Sequence, residues 1–92
     1  MSKKYTTFQR RVFEAVSGIP FGQRRSYKWV AQKAGCPRAV RAVASALKKN
    51  EDLFVVPCHR VVKADGSIGG YVLGKRIKKM LLDLEKELTQ RR

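Results

Sequence analysis

Three segments in the first half of this chain carry the start and stop signals of helices, and these signals restrict the fold more than any other feature. They predict helices over Thr7–Ser17, where the apolar residues also fall at helical spacing, Tyr27–Ala34 and Pro37–Lys49. Thr6 or Thr7 can cap the first helix and Ser26 the second, and Pro37 suits the first turn of the third. Gly18 and Gly35 follow the first two segments, where glycine commonly ends a helix. Because a short turn joins the second and third helices, the pair predicts a helix-turn-helix.

The third predicted helix has a composition that suits binding to DNA. Arg38 and Arg41 can reach phosphates or enter a groove. The small residues around them let the helix backbone approach a nucleic acid closely: Ala39, Ala42, Ala44, Ser45 and Ala46. The same alanines would suit a tightly packed helix pair, and both interpretations can hold because one face can pack while the other binds.

The second half of the chain changes character after Asn50. Leu53–Val56 and Arg60–Lys63 are short β-type runs, and Ala64–Ser67, with Asp-Gly at its centre, predicts a hairpin turn. A last helix is predicted from the apolar stripe of Ile77, Met80, Leu81, Leu84 and Leu88. The predicted fold class is therefore mainly α with a small β wing, a winged helix-turn-helix.

Length and charge limit the possible functions. Ninety-two residues fit a single domain, 1–92, with one modest core. The net charge of +14 exceeds what solubility requires and indicates a polyanionic partner. Residues 1–50 hold 12 basic and 1 acidic side chains, so we expect the binding face there. Nucleic acid is the favoured partner, because no long apolar run or lipidation signal supports a membrane surface.

The cysteine count and the start of the sequence indicate an intracellular location, in the cytoplasm or nucleoid, or in a eukaryotic nucleus. Two cysteines are too few for a disulfide framework. The first residues also lack the apolar segment of a signal peptide. We therefore expect reduced thiols.

The run Pro57-Cys58-His59-Arg60 places one of these thiols beside the only histidine. A free thiol has a pKa of about 8.5 and needs a base to act as a nucleophile at neutral pH, and His59 is the obvious base. Adjacent residues in a strand point to opposite faces, so cooperation requires a bend or a bridging water. On the residues alone, a small buried cysteine beside a structural histidine is an equal alternative.

Two further questions about this motif stay open on the residues alone. An acidic group should orient the imidazole, and the last helix offers three candidates: Asp83, Glu85 and Glu87. A zinc site is the other possible use of Cys36, Cys58 and His59, but their spacing lacks the ligand pairs of such sites, so we expect no metal.

The run Pro57–Val62 resembles the active-site signature of the O6-alkylguanine-DNA alkyltransferases, also called methylated-DNA–protein-cysteine methyltransferases. The resemblance extends over about residues 8–87 through matches in the same order: Phe21-Gly22, Ser26-Tyr27, Arg41-Ala42-Val43, Gly69-Gly70-Tyr71 and Leu81–Glu85. It implies a winged helix-turn-helix that binds the minor groove and rotates a damaged nucleotide into a pocket, as chemistry on a base requires.

The resemblance also implies roles for five residues around the thiol. Cys58 is the nucleophile, His59 is its base through a water, and Glu85 holds His59. Tyr27 helps to rotate the nucleotide and donates a hydrogen bond to guanine N3. Asn50 braces the turn before the active-site strand.

On the DNA side, the resemblance implies that Arg41 fills the stack that the damaged nucleotide leaves. The recognition helix that carries it is suited to a shallow approach, and we expect Arg38, Ala42 and Ser45 to contact DNA. The implied partner is double-stranded DNA that contains O6-alkylguanine, bound by a monomer.

In the pocket, the backbone carbonyls of Cys58 and Val61 are implied to accept from the guanine amino group, and the loop at Tyr71 and Val72 to close over the base. The thiolate then attacks the alkyl carbon, guanine leaves through O6, and a thioether remains. Because a thioether is a poor substrate for further displacement, each molecule should act once, with no cofactor.

Some features depart from the family pattern. Asn50-Glu51 stands where Asn-Pro is usual, and Val72 stands where a small hydroxyl residue is frequent. Most members also carry an additional N-terminal domain, whose role a separate repair partner could fill here.

Two other classes of protein compete with the enzyme. The alkyltransferase-like proteins bind alkylated DNA without transferring the group, but they typically have tryptophan in place of the cysteine, and Cys58 is retained. A winged-helix transcription regulator would explain the charge but gives no reason for the Pro-Cys-His-Arg run.

Overall fold

The computed structural model describes residues 5–51, 55–71 and 73–90, which form four α-helices, one short 3₁₀ helix and two short strands. The helices are α1 (Thr7–Ser17), α2 (Tyr27–Lys33), α3 (Val40–Lys48) and α4 (Lys75–Gln90), the 3₁₀ helix is Cys58–Arg60, and the strands are β1 (Arg25–Ser26) and β2 (Val61–Val62). The prediction of a mainly α fold with a small β wing is confirmed.

The first two helices begin where their capping residues predict. Thr6 accepts a hydrogen bond from the Gln9 amide at 3.1 Å, and its own amide donates to the Gln9 side chain at 3.0 Å, which forms a capping box. Ser26 accepts from the amide of Trp29 at 2.9 Å and starts α2. Both caps satisfy amides that have no partner within the helix.

Helices α1, α2 and α3 pack against one another around one apolar core. The largest apolar side chains that it buries completely are Val12, Val16, Ile19, Val30, Val43 and Val61. Because Val61 belongs to β2, the core reaches from the three helices to the segment that follows the Pro-Cys-His-Arg run.

Helix α3 begins three residues later than the predicted start at Pro37. The amide of Ala39 donates to the carbonyl of Cys36 at 2.9 Å, so the chain closes a turn before it enters the helix. Gly35 reverses the chain just before this turn. Its φ of 83° is a backbone conformation that residues with a side chain rarely adopt. The predicted helix-turn-helix pair is present with this longer turn.

The β element is built differently from the prediction. Strand β2 covers only Val61–Val62 and pairs in parallel with β1, rather than with a neighbouring hairpin strand. Of the other predicted run, residues 53 and 54 lie outside the described residues, and Val55 and Val56 form a turn and a bend. The predicted turn at Ala64–Ser67 is confirmed, with the Lys63 amide donating to the Ser67 carbonyl at 2.9 Å.

The last helix is confirmed, but the face by which it packs is not the predicted apolar stripe. Its buried residues are Lys78, Leu82 and Glu85. Four members of the stripe are exposed, by 37% for Ile77, 60% for Met80, 51% for Leu84 and 48% for Leu88. The helix therefore turns two polar side chains inward, beneath the Pro-Cys-His-Arg run.

Candidate active site

The thiol of Cys58 lies at the first position of the 3₁₀ helix and is only 5% exposed. The Cys58 amide donates to the Val56 carbonyl at 2.8 Å, and the Arg60 amide donates to the Pro57 carbonyl at 2.9 Å. These bonds bend the chain at the motif. The bend removes the difficulty that neighbouring side chains of an extended strand point apart.

Behind the thiol, Glu85 is the one of the three acidic candidates that reaches His59. Its Oε2 lies 2.6 Å from His59 Nε2, and both side chains are buried. This contact leaves Nδ1 of His59 as the ring nitrogen that can accept a proton. Asp83 instead forms an exposed ion pair with Lys79 at 2.9 Å, and the helix turns Glu87 outward.

Glu85 is also held by two other parts of the chain. Arg60 donates to it from Nε at 3.0 Å and from a terminal nitrogen at 3.1 Å, and the amide of Gly22 donates at 3.2 Å. Burial alone would raise the pKa of Glu85, but the hydrogen bonds from Arg60, His59 and Gly22 outweigh it and hold the pKa below its usual value. The carboxylate is therefore ionised at neutral pH.

Burial also acts on the Cys58 thiol, whose pKa it raises above the usual value. A hydrogen bond from Asn50 and the positive charge of Lys78 oppose this effect without cancelling it. Asn50 is itself buried and donates from its side chain to the Val56 carbonyl at 2.8 Å. It thus holds the segment that leads to the 3₁₀ helix.

Lys78 is a site residue that the sequence analysis missed. It is fully buried, and its Nζ donates to the Tyr27 hydroxyl at 3.3 Å and to the Gly70 carbonyl at 3.1 Å. Burial lowers the pKa of Lys78 to about 8, an effect that the nearby Cys58 opposes. One signal in the sequence could have found it, because Lys78, Leu82 and Glu85 share a helical face once Glu85 is known to point inward.

Cys58 opens on a cavity of about 400 Å³ between α2, α3 and the loop before α4. Several predicted site residues line this cavity together with residues that were not predicted: Tyr27, Val40, Arg41, Ala44, Leu47, Lys48, Cys58, Lys63, Gly69, Gly70 and Tyr71. Its size is that of a small-molecule site.

Tyr27 and Tyr71 are partly buried and line this cavity. Burial raises the pKa of both Tyr27 and Tyr71, and the charge of Cys58 adds a smaller effect in the same direction. Both phenols therefore remain protonated donors at neutral pH. The Tyr27 ring lies against Gly69, where an added side-chain carbon would stand 2.9 Å from its oxygen. Only glycine fits at this position, which also has φ of 73°.

The predicted DNA-contacting residues lie on or beside α3. Arg41, Ala42 and Ser45 are exposed on this helix, and Arg38 is exposed in the turn before it. Arg41 alone among these four also lines the cavity. The outward face of α3 and the entrance to the cavity are therefore continuous.

Two more residues were predicted for the pocket, Val61 through its backbone carbonyl and Val72 through its loop. Val61 is fully buried and does not line the cavity with its side chain, although its backbone directly follows the 3₁₀ helix. Val72 lies outside the described residues.

In residues 5–51, 55–71 and 73–90, no group of three or more His, Cys, Asp or Glu side chains could hold a metal ion. No helix in those ranges is long and apolar enough to cross a membrane.

Comparison with known proteins gives matches over nearly the whole chain. Residues 7–87 match the family model described as the DNA-binding domain of 6-O-methylguanine DNA methyltransferase. A curated relative, the methylated-DNA–protein-cysteine methyltransferase of Methanosarcina barkeri, is 46% identical over 80 residues, which cover 87% of this chain and 51% of the relative. The chain thus spans about half the length of the curated relatives it matches.

Two solved structures resemble this one closely. The Mycobacterium tuberculosis OGT in complex with DNA superposes with a TM-score of 0.88 and 45% identity, over 91% of this chain and 52% of that one. The S. pombe Atl1 in complex with damaged DNA containing O6-carboxymethylguanine gives a TM-score of 0.75 and 31% identity, over 85% of this chain and 74% of that one.

Proposed function

This chain belongs to the 6-O-methylguanine DNA methyltransferase family, and from that premise we propose that it repairs DNA by taking the alkyl group from O6 of a damaged guanine onto Cys58. The substrate is double-stranded DNA, and the transfer is irreversible. We propose that residues 1–92 act as one domain that contains both the DNA-binding surface and the reactive thiol.

The observation that carries the proposal is the position of the Cys58 thiol. It faces a cavity lined by Tyr27, Arg41 and Tyr71, while His59 and Glu85 lie behind it. A cysteine that only fills the core does not require an adjoining cavity. A nucleophile that receives a base rotated out of DNA requires one.

The first proton leaves the thiol toward His59. The ring accepts it at Nδ1 through a bridging water, and the ionised Glu85 at Nε2 stabilises the imidazolium that results. Sγ of Cys58 then forms a bond to the alkyl carbon as the bond from that carbon to O6 breaks, and the electron pair of the broken bond goes to the guanine. The products are a thioether on Cys58 and an unmodified guanine that takes up one proton.

Tyr27 and Lys78 stabilise the leaving guanine as a pair. An ammonium group can only donate hydrogen bonds, so the Tyr27 oxygen accepts from Lys78, while the Tyr27 hydroxyl donates to the Gly70 carbonyl at 3.4 Å. In the complex this hydrogen turns from Gly70 to guanine N3, where negative charge develops. Lys78 is therefore a positioning residue, and its charge also favours the thiolate of Cys58.

The remaining residues hold the DNA. The exposed face of α3 enters the minor groove, and Arg41 fills the space that the rotated nucleotide leaves in the stack. Arg38, Ala42 and Ser45 contact the backbone and the groove edge. The carbonyls of Cys58 and Val61 accept from the guanine amino group, and the loop at residues 71 and 72 closes over the base.

Intact-mass measurement tests the proposal directly. After the protein is mixed with a duplex that contains one O6-methylguanine, each chain should gain the mass of one methylene group and no more. Cys58→Ser should gain none. Cys36→Ser, which removes the other cysteine at a position away from the cavity, should react like the wild-type protein.

A damage sensor that binds alkylated DNA without transfer is the second candidate, and the likeness to the S. pombe Atl1 complex favours it. Tight binding to the modified duplex with no gain in mass would assign the chain to this class. That result would contradict our proposal.

A further inference from the structure

A tryptophan at the surface of α2 lies between two positive charges, and we call these three residues the tryptophan row: Arg25, Trp29 and Lys33. The guanidinium carbon of Arg25 lies 5.6 Å from the centroid of the Trp29 ring, and Nζ of Lys33 lies at the same distance. Cations at this distance are attracted to the face of an indole ring. The ring therefore holds two charges close together without neutralising either of them.

The other contacts of Arg25 fix its side chain and leave its charge available. Its terminal nitrogens donate to the Arg24 carbonyl at 3.0 Å and to Oε1 of Gln23 at 2.7 Å, and both acceptors are uncharged. A guanidinium has five N–H donors, so three remain for a partner. Because the group is already held in position, it loses less entropy when a partner binds.

The tryptophan row continues into a groove between α1 and the end of α2. Lys33 lines this groove together with Arg11 and one acidic residue, Glu14. The three cations Arg11, Arg25 and Lys33 outnumber Glu14, so the row and the groove together carry a net charge of +2.

The charges around this surface add to the excess. Arg10 and Lys28 are exposed on α1 and α2. Asp83 of α4 interacts with Arg24, but its closest partner is Lys79, at 2.9 Å. Residues 1–50 hold 12 basic side chains and a single acidic one. Such an excess indicates a polyanionic partner.

The tryptophan row points in a different direction from the cavity entrance. At 100° per residue, Trp29 and Lys33 lie about 200° and about 240° around α2 from Tyr27, whose side chain lines the cavity. The row and its groove contribute no residue to that cavity. In the proposed function, a duplex whose nucleotide enters the cavity therefore leaves the tryptophan row exposed.

We propose that the tryptophan row binds the phosphodiester backbone of a second DNA segment, so that one chain holds two duplexes at once. The inference rests on the proposed function for the position of the first duplex. Arg25 donates to phosphate oxygens with its planar fork, and Lys33 binds a neighbouring phosphate as a point charge. Trp29 keeps both cations in place and does not stack on a base.

Capture on beads tests the bridge between two duplexes. A biotinylated duplex with one O6-methylguanine is fixed to beads, and a fluorescent, unmodified duplex is added at one chain for each fixed duplex. The wild-type chain should retain the fluorescent duplex. Arg25→Gln combined with Lys33→Gln should lower the retained amount at least about tenfold, since each lost phosphate contact weakens binding. Lys79→Gln combined with Lys86→Gln removes as many charges from exposed positions on α4 and should not lower it.

The emission of Trp29 gives a second measurement, because it is the only tryptophan of the chain. When duplex is added stepwise, the first equivalent should leave the emission nearly unchanged and the second should change it. Added salt should reverse the second change. A change that is complete after one equivalent would place the row in the first site and overturn the proposal.

Three other results would also overturn it. One is a wild-type chain that retains no second duplex, and another is retention that the Arg25→Gln and Lys33→Gln variant shares, as self-association would produce. The third is an emission change with anionic lipid vesicles but not with a second duplex, which would assign the row to a membrane surface. The variant should still gain one methylene mass from a single duplex, so failure of the bridge is distinct from failure of the proposed function.

Discussion

The carboxylate of Glu85 joins three parts of the chain that are far apart in sequence. Glu85 itself belongs to α4. Its carboxylate accepts from the Gly22 amide in the loop before β1 and contacts His59 and Arg60 in the 3₁₀ helix. A single side chain thus sets both the orientation of the imidazole and the distance between α4 and the motif.

Replacing Glu85 by glutamine keeps the shape of the side chain but removes its charge. Since hydrogen bonds to charged groups are worth more than neutral ones, we expect the free energy of unfolding at neutral pH to fall by about 2–4 kcal/mol. Urea denaturation measures this loss. Asp83→Asn, in an exposed ion pair on the same helix, should change it far less, because solvent screens that pair.

The pH dependence of this stabilisation has a definite sign. The folded pKa of Glu85 lies below its unfolded value, so the stabilisation is present above the usual glutamate pKa and is lost as the pH falls through the lower folded value. The glutamine variant should therefore lose less stability than the wild-type protein on acidification. Equal losses would contradict the role of the ionised carboxylate.

Replacing Lys78 by methionine should raise the pKa of the Cys58 thiol, because the change removes a positive charge that lowers it. We expect alkyl transfer at neutral pH to slow about tenfold, because a smaller fraction of the thiol is ionised. Ultraviolet titration of the thiolate in a Cys36→Ser background measures the pKa. Lys79→Met, which changes the exposed neighbour, should leave both quantities unchanged.

The pH profile of the reaction separates positioning by Lys78 from a purely structural contribution. Lys78 is charged below its pKa of about 8 and neutral above it. The wild-type rate should therefore stop rising and decline as the pH passes about 8, and this decline should be absent from the methionine variant. A decline that persists in the variant would assign it to another group.

At the scale of elements, α3 combines the exposed face that we propose binds DNA with a wall of the cavity. Arg41 belongs to both, so Arg41→Ala should slow repair of duplex DNA at least about tenfold while reaction with a free alkylated base stays unchanged. Single-turnover kinetics with the two substrates measure this difference. Arg10→Ala, which removes an exposed charge from α1, is the matched control. Equal losses on both substrates would contradict the role of Arg41 in the DNA stack.

Local signals predicted some elements well and others poorly. The start of α1 follows from Thr6 and Gln9, whose side chains accept from each other's amides three residues apart, and it was predicted correctly. The start of α3 depends on a hydrogen bond between Ala39 and Cys36 that proline at position 37 does not reveal. Strand β2 pairs with Arg25–Ser26, a partner that only the tertiary fold supplies.

The residues of the candidate site were also predicted only in part. The hexapeptide and its resemblance indicated Cys58, His59 and Glu85, and the structure brings the last two within hydrogen-bond distance. The inward face of α4 was not predicted, because an apolar stripe ordinarily marks the buried side of a helix. Lys78 was missed for that reason, since a buried lysine is rare unless other groups pair with it.

At the scale of the whole molecule, the charge of +14 should make DNA binding strongly dependent on salt. If about six phosphates are neutralised, affinity should fall about a thousandfold between roughly 50 and 200 mM salt. Fluorescence anisotropy with a labelled duplex measures the slope. Lys48→Gln, at the rim of the cavity, should reduce the slope of log affinity against log salt by the contribution of about one phosphate contact. Lys86→Gln on α4 should leave the slope unchanged. A flat salt response would contradict binding driven by charge.

The enclosure of Cys58 has a consequence beyond the fit of a guanine. In the proposed reaction the nucleophile is used once, so it must not be lost to oxidants or to other electrophiles. At 5% exposure, the sulfur is shielded from bulky disulfides, and its raised pKa keeps it in the less reactive thiol form. Under the proposed function, the burial of Cys58 therefore preserves the thiol until an alkylated base enters the cavity.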